Sequence, residues 1–456
     1  MMRKVVVVAV LVLLGWGVRV YGYRKPYSFS ARSVLPNVST EMKSPGFWIS
    51  RLSAPDKEIM TPGQVLVFNQ DIVNSKLRDD IASFPGTYHG KELKASLEKK
   101  FKETVSAGYF TQNGRKADKR FFALLEKNLS LENIPDTLSV RFAVVAAISD
   151  QRVLPTQAKL TKKPFDLDFD ELQNSSLDIN TPVAVLWQSM NNFWSYVTSS
   201  SSSGWVLTQN LAVCSRDEIT RMRADDFVVI TEAKADIYTD KEQRQWYGFA
   251  RMGSRFEVKN YSQDTVEIAL PTRDEHARLR VIPGYMRTKD LHRGYLPYTP
   301  RTIIQQAFEM LNTPYGWGGM NGEQDCSQFL QEVFATAGVD IPRDSSEQSK
   351  TGISLGEFDK NLDREARLST VIAKAQAGVS LLYMDGHIML YLGEINKIPY
   401  AIHDTSAYRK RIAFSDAPLL INKVTVSDLS LGEGSSKKSL LERLKSIRLI
   451  ADSPVQ

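Results

Sequence analysis

Two residue types in this chain could do nucleophilic chemistry together. Cys326 stands in "TPYGWGGMNGEQDCSQFLQEVF" (Thr313 to Phe334). Phe329, Leu330, Val333 and Phe334 recur there at helical spacing after a glycine-rich loop. Asp325 and Gln328 are spaced as a capping box with Asp325 as N-cap, so Cys326 falls at the first helical position. The helix dipole at that point favours an anion and should lower the thiol pKa. Backbone amides of the same turn could hold a developing oxyanion. The competing reading is a small buried side chain. A nucleophile also needs a base, and the base needs a group that orients it.

The histidines supply both. "SLLYMDGHIMLYLGEINKIPYAIHDTS" (Ser380 to Ser406) has Asp385–Gly386 between two apolar runs, a hairpin signal. Alternation after it places His387, Met389 and Tyr391 on one face. "GEINKIP" turns the chain and "YAIHDT" returns. A turn centred on Ile395 would set His387 directly opposite His403, with Cβ atoms about 5 Å apart. A one-residue slip would put the second imidazole on the other face. Asp404 follows His403 and would point away, so His403 is the expected orienter. Cys214, in "NLAVCSRDE", has no histidine near it in sequence and reads as structural. No histidine, cysteine or carboxylate cluster has metal-ligand spacing, so no metal or other cofactor is expected.

Other elements must position these residues. Arg3 and Lys4 precede "VVVVAVLVLLGWGV", and Gly22 precedes Tyr23, the pattern of a cleaved export signal over 1–22, with an uncleaved anchor as the alternative. The run is short for a spanning helix of about 20 residues, so no membrane segment is expected after cleavage. Residues 23–138 read as a mainly helical region, with amphipathic stretches at Lys91 to Phe110 and Asp118 to Pro135. Short β runs separated by turn residues then fill 139–214 and 215–291, a loose tandem of two small barrels. Trp187, Trp194, Trp205 and Trp246 are core candidates that could alternatively line a groove. A proline-bearing linker covers 292–300, and 301–456 is the domain with the cysteine and histidines. Its tail, "LLINKVTVSDLSL" and "SKKSLLERLKSIRLI", reads as strand, helix and strand with no chemistry. The formal charge of +6 suits an anionic polymer or surface but is too small to choose one. Nucleic acid is excluded by the absence of zinc spacing, dense basic runs and a phosphate loop.

"YGWGG…DCSQF" with "GVDIPRDSSEQ", "GHIMLYLG" and "IHDTS" resembles the NlpC-type cysteine peptidases of bacterial cell walls. The upstream β blocks resemble bacterial SH3-like domains found, with a helical N-terminal stabilising region, in one branch of that family. The resemblance implies an α+β fold: a papain-like C-terminal catalytic domain preceded by two SH3-like barrels and the helical region. It implies hydrolysis of γ-D-glutamyl to diamino-acid bonds in peptidoglycan or muropeptide substrates, by an exported monomer in the periplasm or outside the cell. It places the nucleophile on Cys326, the base on His387, the third polar residue on His403 and an oxyanion-donating tyrosine on Tyr315. Asp325, Ser327 and Ser345 fall on substrate contacts, with Ser346 a rival for the last. Gln328 departs from the family's usual glycine and puts the adjoining subsite in doubt. A silent wall-binding protein and an acyltransferase on the same core are the alternatives.

Overall fold

A computed structural model describes residues 35–412 and 415–453. The export-signal expectation at 1–22 lies outside them. No described helix is long and apolar enough to cross a membrane.

The helical region holds Pro62–Asn74, Gly90–Ser106 and Lys119–Leu129. Each forms where local chemistry allows it. Thr61 and Gln64 make a full capping box before Pro62, and the Asp118 side chain accepts from the Phe121 amide. Leu93, Leu97 and Phe101 stand four apart in the buried stripe of the second helix.

Two seven-stranded antiparallel units follow, one drawn from residues 141–214 and one from 227–293. Trp205 and Trp194 are core residues of the first, whereas Trp246 in the second is 60% exposed. Trp187 is half-buried and donates from its indole to the Leu129 carbonyl. Cys214 pairs with Phe142 at the first sheet's edge, and burial pushes its thiol up to about 12.

The C-terminal domain is a six-stranded antiparallel sheet with helices against it. Its entry helix is Pro300–Glu309: Thr299 is the N-cap and Pro300 takes the first position. Spatial order in the sheet is Ile353–Glu357, Ser446–Leu449, Ser380–Met384, His387–Ile395, Ile398–Ile412 and Ser415–Asp428. The tail forms the expected strand, helix and strand, but its last strand inserts between two earlier ones. The cysteine helix, Cys326–Ala335, packs its buried Phe329, Leu330, Val333 and Phe334 with Ile388, Leu390 and Ile402 of the sheet. Each such burial contributes about 1.5–3 kcal/mol. That packing fixes where the first turn of the helix meets the histidine strand.

Candidate active site

Cys326 is the first residue of its helix and is buried. The Ile388 amide donates to its sulfur, so the thiol lies at the start of the strand that His387 opens. Asp325 is the N-cap, its Oδ1 accepting from the Gln328 amide at 3.0 Å. The capping box is not completed, which corrects the sequence expectation. Gln328 does not reach back: its Oε1 would lie 2.8 Å from a Cβ built on Gly319, and the Ser176 Cβ 2.6 Å. The side chain that departs from the family pattern therefore packs toward the first β unit.

Asp325 is held by a residue that sequence reading quoted but did not assign. Arg343 makes a two-pronged ion pair with it, Nη1 to Oδ1 at 3.0 Å and Nη2 to Oδ2 at 2.7 Å. Arg343 also donates to Ser327 Oγ at 2.9 Å and, across the domain boundary, to Ser175 Oγ at 3.0 Å. Ser327 Oγ donates to Asp325 Oδ1 at 3.1 Å, and the Gly318 amide to Oδ2 at 3.2 Å. Burial alone would raise the Asp325 pKa, but the charge and hydrogen bonds of Arg343 outweigh it and hold the carboxyl below its usual range. A substrate ammonium at Asp325 has to share a carboxylate that is already paired.

The two imidazoles meet, by a different register from the one expected. The turn carries Asn396 and Lys397 at φ 53° and 63°, between the paired residues Ile395 and Ile398. A bulge falls between Tyr391 and Gly393. Pairs Tyr391–Ala401 and Leu390–Ile402 put Thr405, not His403, on the line across from His387. The histidines are diagonal neighbours, and a shift of two residues keeps both on one face. His387 Nε2 and His403 Nδ1 are 2.7 Å apart, with ring planes at 67°. His403 Nε2 lies 2.9 Å from Ser427 Oγ, on the adjacent strand. Ser427 is the second residue that sequence reading passed over. It lies in the tail, with no periodic signal to separate it from other strand residues.

The protonation state also differs from expectation. Burial, with the nearby Asp325 charge, pushes the Cys326 thiol up to about 12, against the hydrogen bond from Ile388. Burial and the Arg443 charge bring His387 down to about 3. His403 is held well below its ordinary value by burial and by His387. Desolvation outweighs the helix dipole, and the resting pair is thiol and neutral imidazole.

Tyr315 is half-buried, and burial, with the Cys326 charge once that thiol ionises and the Asp325 charge, raises its phenol well above the usual range. It remains a donor. Phe169 of the first β unit stands 6.4 Å from the Tyr315 ring and 5.5 Å from Trp317. Ser345 opens the short helix Ser345–Gln348 and is half-buried, while Ser346 is exposed. Gln348 of that helix donates to the Ser327 carbonyl at 2.8 Å. Asp404 points away from His403, as expected. It accepts from Gln324 Nε2 at 3.0 Å, and burial raises its pKa to about 8. Among the described residues no group of three or more histidine, cysteine, aspartate or glutamate side chains is placed to hold a metal.

Residues 312–413 match the model of the NlpC/P60 family. This segment is an NlpC/P60 domain. Residues 159–207, within the first β unit, match an SH3 domain of SH3b1 type. A gamma-D-glutamyl-L-lysine dipeptidyl-peptidase of Bacillus cereus is 25% identical over 202 residues, 43% of this chain and 55% of that protein. One of the same name from Bacillus subtilis is 44% identical over 55 residues, 12% of this chain and 19% of that protein. The chain thus spans about half, or less, of the curated relatives it matches. An NlpC/P60 endopeptidase structure from Photobacterium damselae subsp. piscicida has the same fold, with TM-score 0.73 and 18% identity over 90% of this chain and 97% of that one. The order of helical region, SH3-like β structure and papain-like α+β NlpC/P60 domain is as the sequence suggested. Cys326, His387 and His403 lie inside the matched NlpC/P60 segment, whereas Ser427 lies beyond its end.

Proposed function

We propose that this chain is a peptidoglycan hydrolase, a cysteine peptidase that cuts γ-D-glutamyl to diamino-acid bonds in wall peptides. The observation that carries the reading is the convergence, within the NlpC/P60 domain, of Cys326 at a helix start with the His387–His403 pair beside the strand amide that meets its sulfur. His387 takes the thiol proton as Cys326 attacks the γ-glutamyl carbonyl. Helix-start amides and the Tyr315 phenol hold the oxyanion. The C–N bond breaks as His387 gives its proton to the leaving amine, and water then cleaves the thioester. His403 orients the base.

Asp325, Ser327 and Ser345 contact the substrate in this reading, with Asp325 sharing its charge between Arg343 and an incoming ammonium. Phe169 against Tyr315 and Trp317 favours the first β unit as a wall on the groove over a remote polymer-binding role. The substrate is then a short peptide with a free N-terminal L-alanine, a recycling activity. The division at residues 139, 215, 292 and 301 belongs to this reading, as do a monomeric state, removal of residues 1–22 and a site of action outside the cytoplasmic membrane.

Incubation with a defined muropeptide, read by mass, tests the bond and the free end together. Cleavage should occur between γ-D-glutamate and the diamino acid, faster on free peptide than on intact sacculi. Cys326→Ala should abolish it while thermal unfolding stays cooperative; unchanged turnover would remove Cys326 from the mechanism.

A further inference from the structure

We infer that Ser427 is a positioning residue of the site, the hydrogen-bond acceptor at the end of a His387–His403–Ser427 chain that fixes which imidazole nitrogen is bare. The inference rests on the proposed peptidase reading for its catalytic consequence, but not for its geometry. His403 is 1% exposed and Ser427 0% exposed, and their 2.9 Å contact continues the 2.7 Å contact between the imidazoles. Ser427 stands on the edge strand Ser415–Asp428, which pairs with the strand of His403, and it is nonetheless fully buried.

Two proton arrangements fit these distances. If the Ser427 hydroxyl donates to His403 Nε2, the His403 proton sits on Nδ1 and donates to His387 Nε2. The single proton of neutral His387 is then on Nδ1, and the ring has no lone pair left to receive a thiol proton. If Ser427 accepts instead, His403 carries its proton on Nε2, its bare Nδ1 accepts from His387 Nε2–H, and His387 Nδ1 is free. Only the second arrangement is a base.

Proton transfer then makes the choice obligatory. When the S–H bond breaks and the N–H bond forms at His387 Nδ1, the imidazolium carries protons on both nitrogens. His387 Nε2–H must donate to His403 Nδ1, so His403 Nε2–H must have an acceptor. At this depth water is excluded, and an unpartnered N–H is costly. Ser427 Oγ is the acceptor the fold supplies, so it favours the charged state over the neutral one. A serine that merely fills space would have no effect on tautomer.

The test uses the full chain with Ser427→Ala, and with Ser427→Thr and Ser427→Val, which share a shape and differ in the hydroxyl. Peptide cleavage and 15N spectra of histidine-labelled protein are read together. The proposal expects Nε2-protonated His403 in wild type and Ser427→Thr, and loss of that tautomer in Ser427→Ala and Ser427→Val. It expects kcat to fall about ten- to a hundredfold in the last two, with KM unchanged and Ser427→Thr spared. A wild-type tautomer and kcat in Ser427→Ala would overturn it. Equal impairment of Ser427→Thr and Ser427→Val with the tautomer unchanged would also overturn it, because that is a packing effect. If wild type cleaves no muropeptide, the peptidase reading fails, and the tautomer readout still decides the role of Ser427.

Discussion

The Cys326 thiol and the His387 imidazole are both neutral at rest because both are stripped of water. In the proposed reaction, charge separation then has to coincide with attack, when the oxyanion donors and the histidine chain come into use. The same desolvation links His387 to stability. Its folded value of about 3 lies below the ordinary 6.5, so between those two pH values the unfolded chain binds the proton that the folded chain refuses. Stability from this group is present above about pH 6.5 and is lost as pH falls toward 3, by at most about 1.4 kcal/mol per pH unit. His387→Gln, which cannot titrate, should lose less melting temperature than wild type on going from pH 7 to pH 4. An identical acid slope in both proteins would contradict the burial of a neutral imidazole.

The cysteine helix carries a second buried titration one and a half turns below the thiol. Glu332 is 6% exposed, and burial raises its pKa to about 8 despite Arg251, whose Nε is 3.5 Å from Oε1. The sign is opposite to that of His387. Stability from Glu332 is fully present below its unfolded value of 4.5 and is lost as pH rises through 8. Glu332→Gln should therefore melt higher than wild type at pH 9 and close to it at pH 6. A wild-type alkaline slope in the variant would show that the carboxyl is ionised throughout. The loss acts on the helix that positions Cys326, so activity should fall over the same alkaline range.

At the scale of the molecule, the site is shared across a domain boundary. Arg343 joins Asp325 and Ser327 to Ser175 of the first β unit. Arg251 of the second unit is paired with Asp178 of the first, at 2.8 Å through both Nε and Nη2, and reaches the Glu323 carbonyl just before the cysteine helix. Arg343→Ala should destabilise the fold by about 3–5 kcal/mol, because it leaves the Asp325 carboxylate buried without its partner. Urea unfolding at pH 7 measures this, and Asp325→Asn added to Arg343→Ala should restore part of the loss. If the single variant unfolds like wild type, the pair is not buried as described.

Local chemistry made several features legible in the sequence alone. The helix starting at Cys326, the Asp385–Gly386 hairpin, the shared face of His387 and His403, and the strand, helix and strand of the tail all depend on contacts within a few residues. Caps, turns and alternation act at that range. The register of the second hairpin escaped because its two-residue turn at Asn396 and Lys397 and the bulge after Tyr391 shift the pairing away from a turn centred on Ile395. Only the tertiary structure decided that Gln328 packs toward Gly319 and Ser176 and not back on its own cap, that Arg343 claims Asp325, and that Ser427 meets His403. It also decided that the thiol is protonated. The helix dipole is written in a local sequence, but desolvation is the sum of everything that packs over a group, and at Cys326 those neighbours come from strands far along the chain.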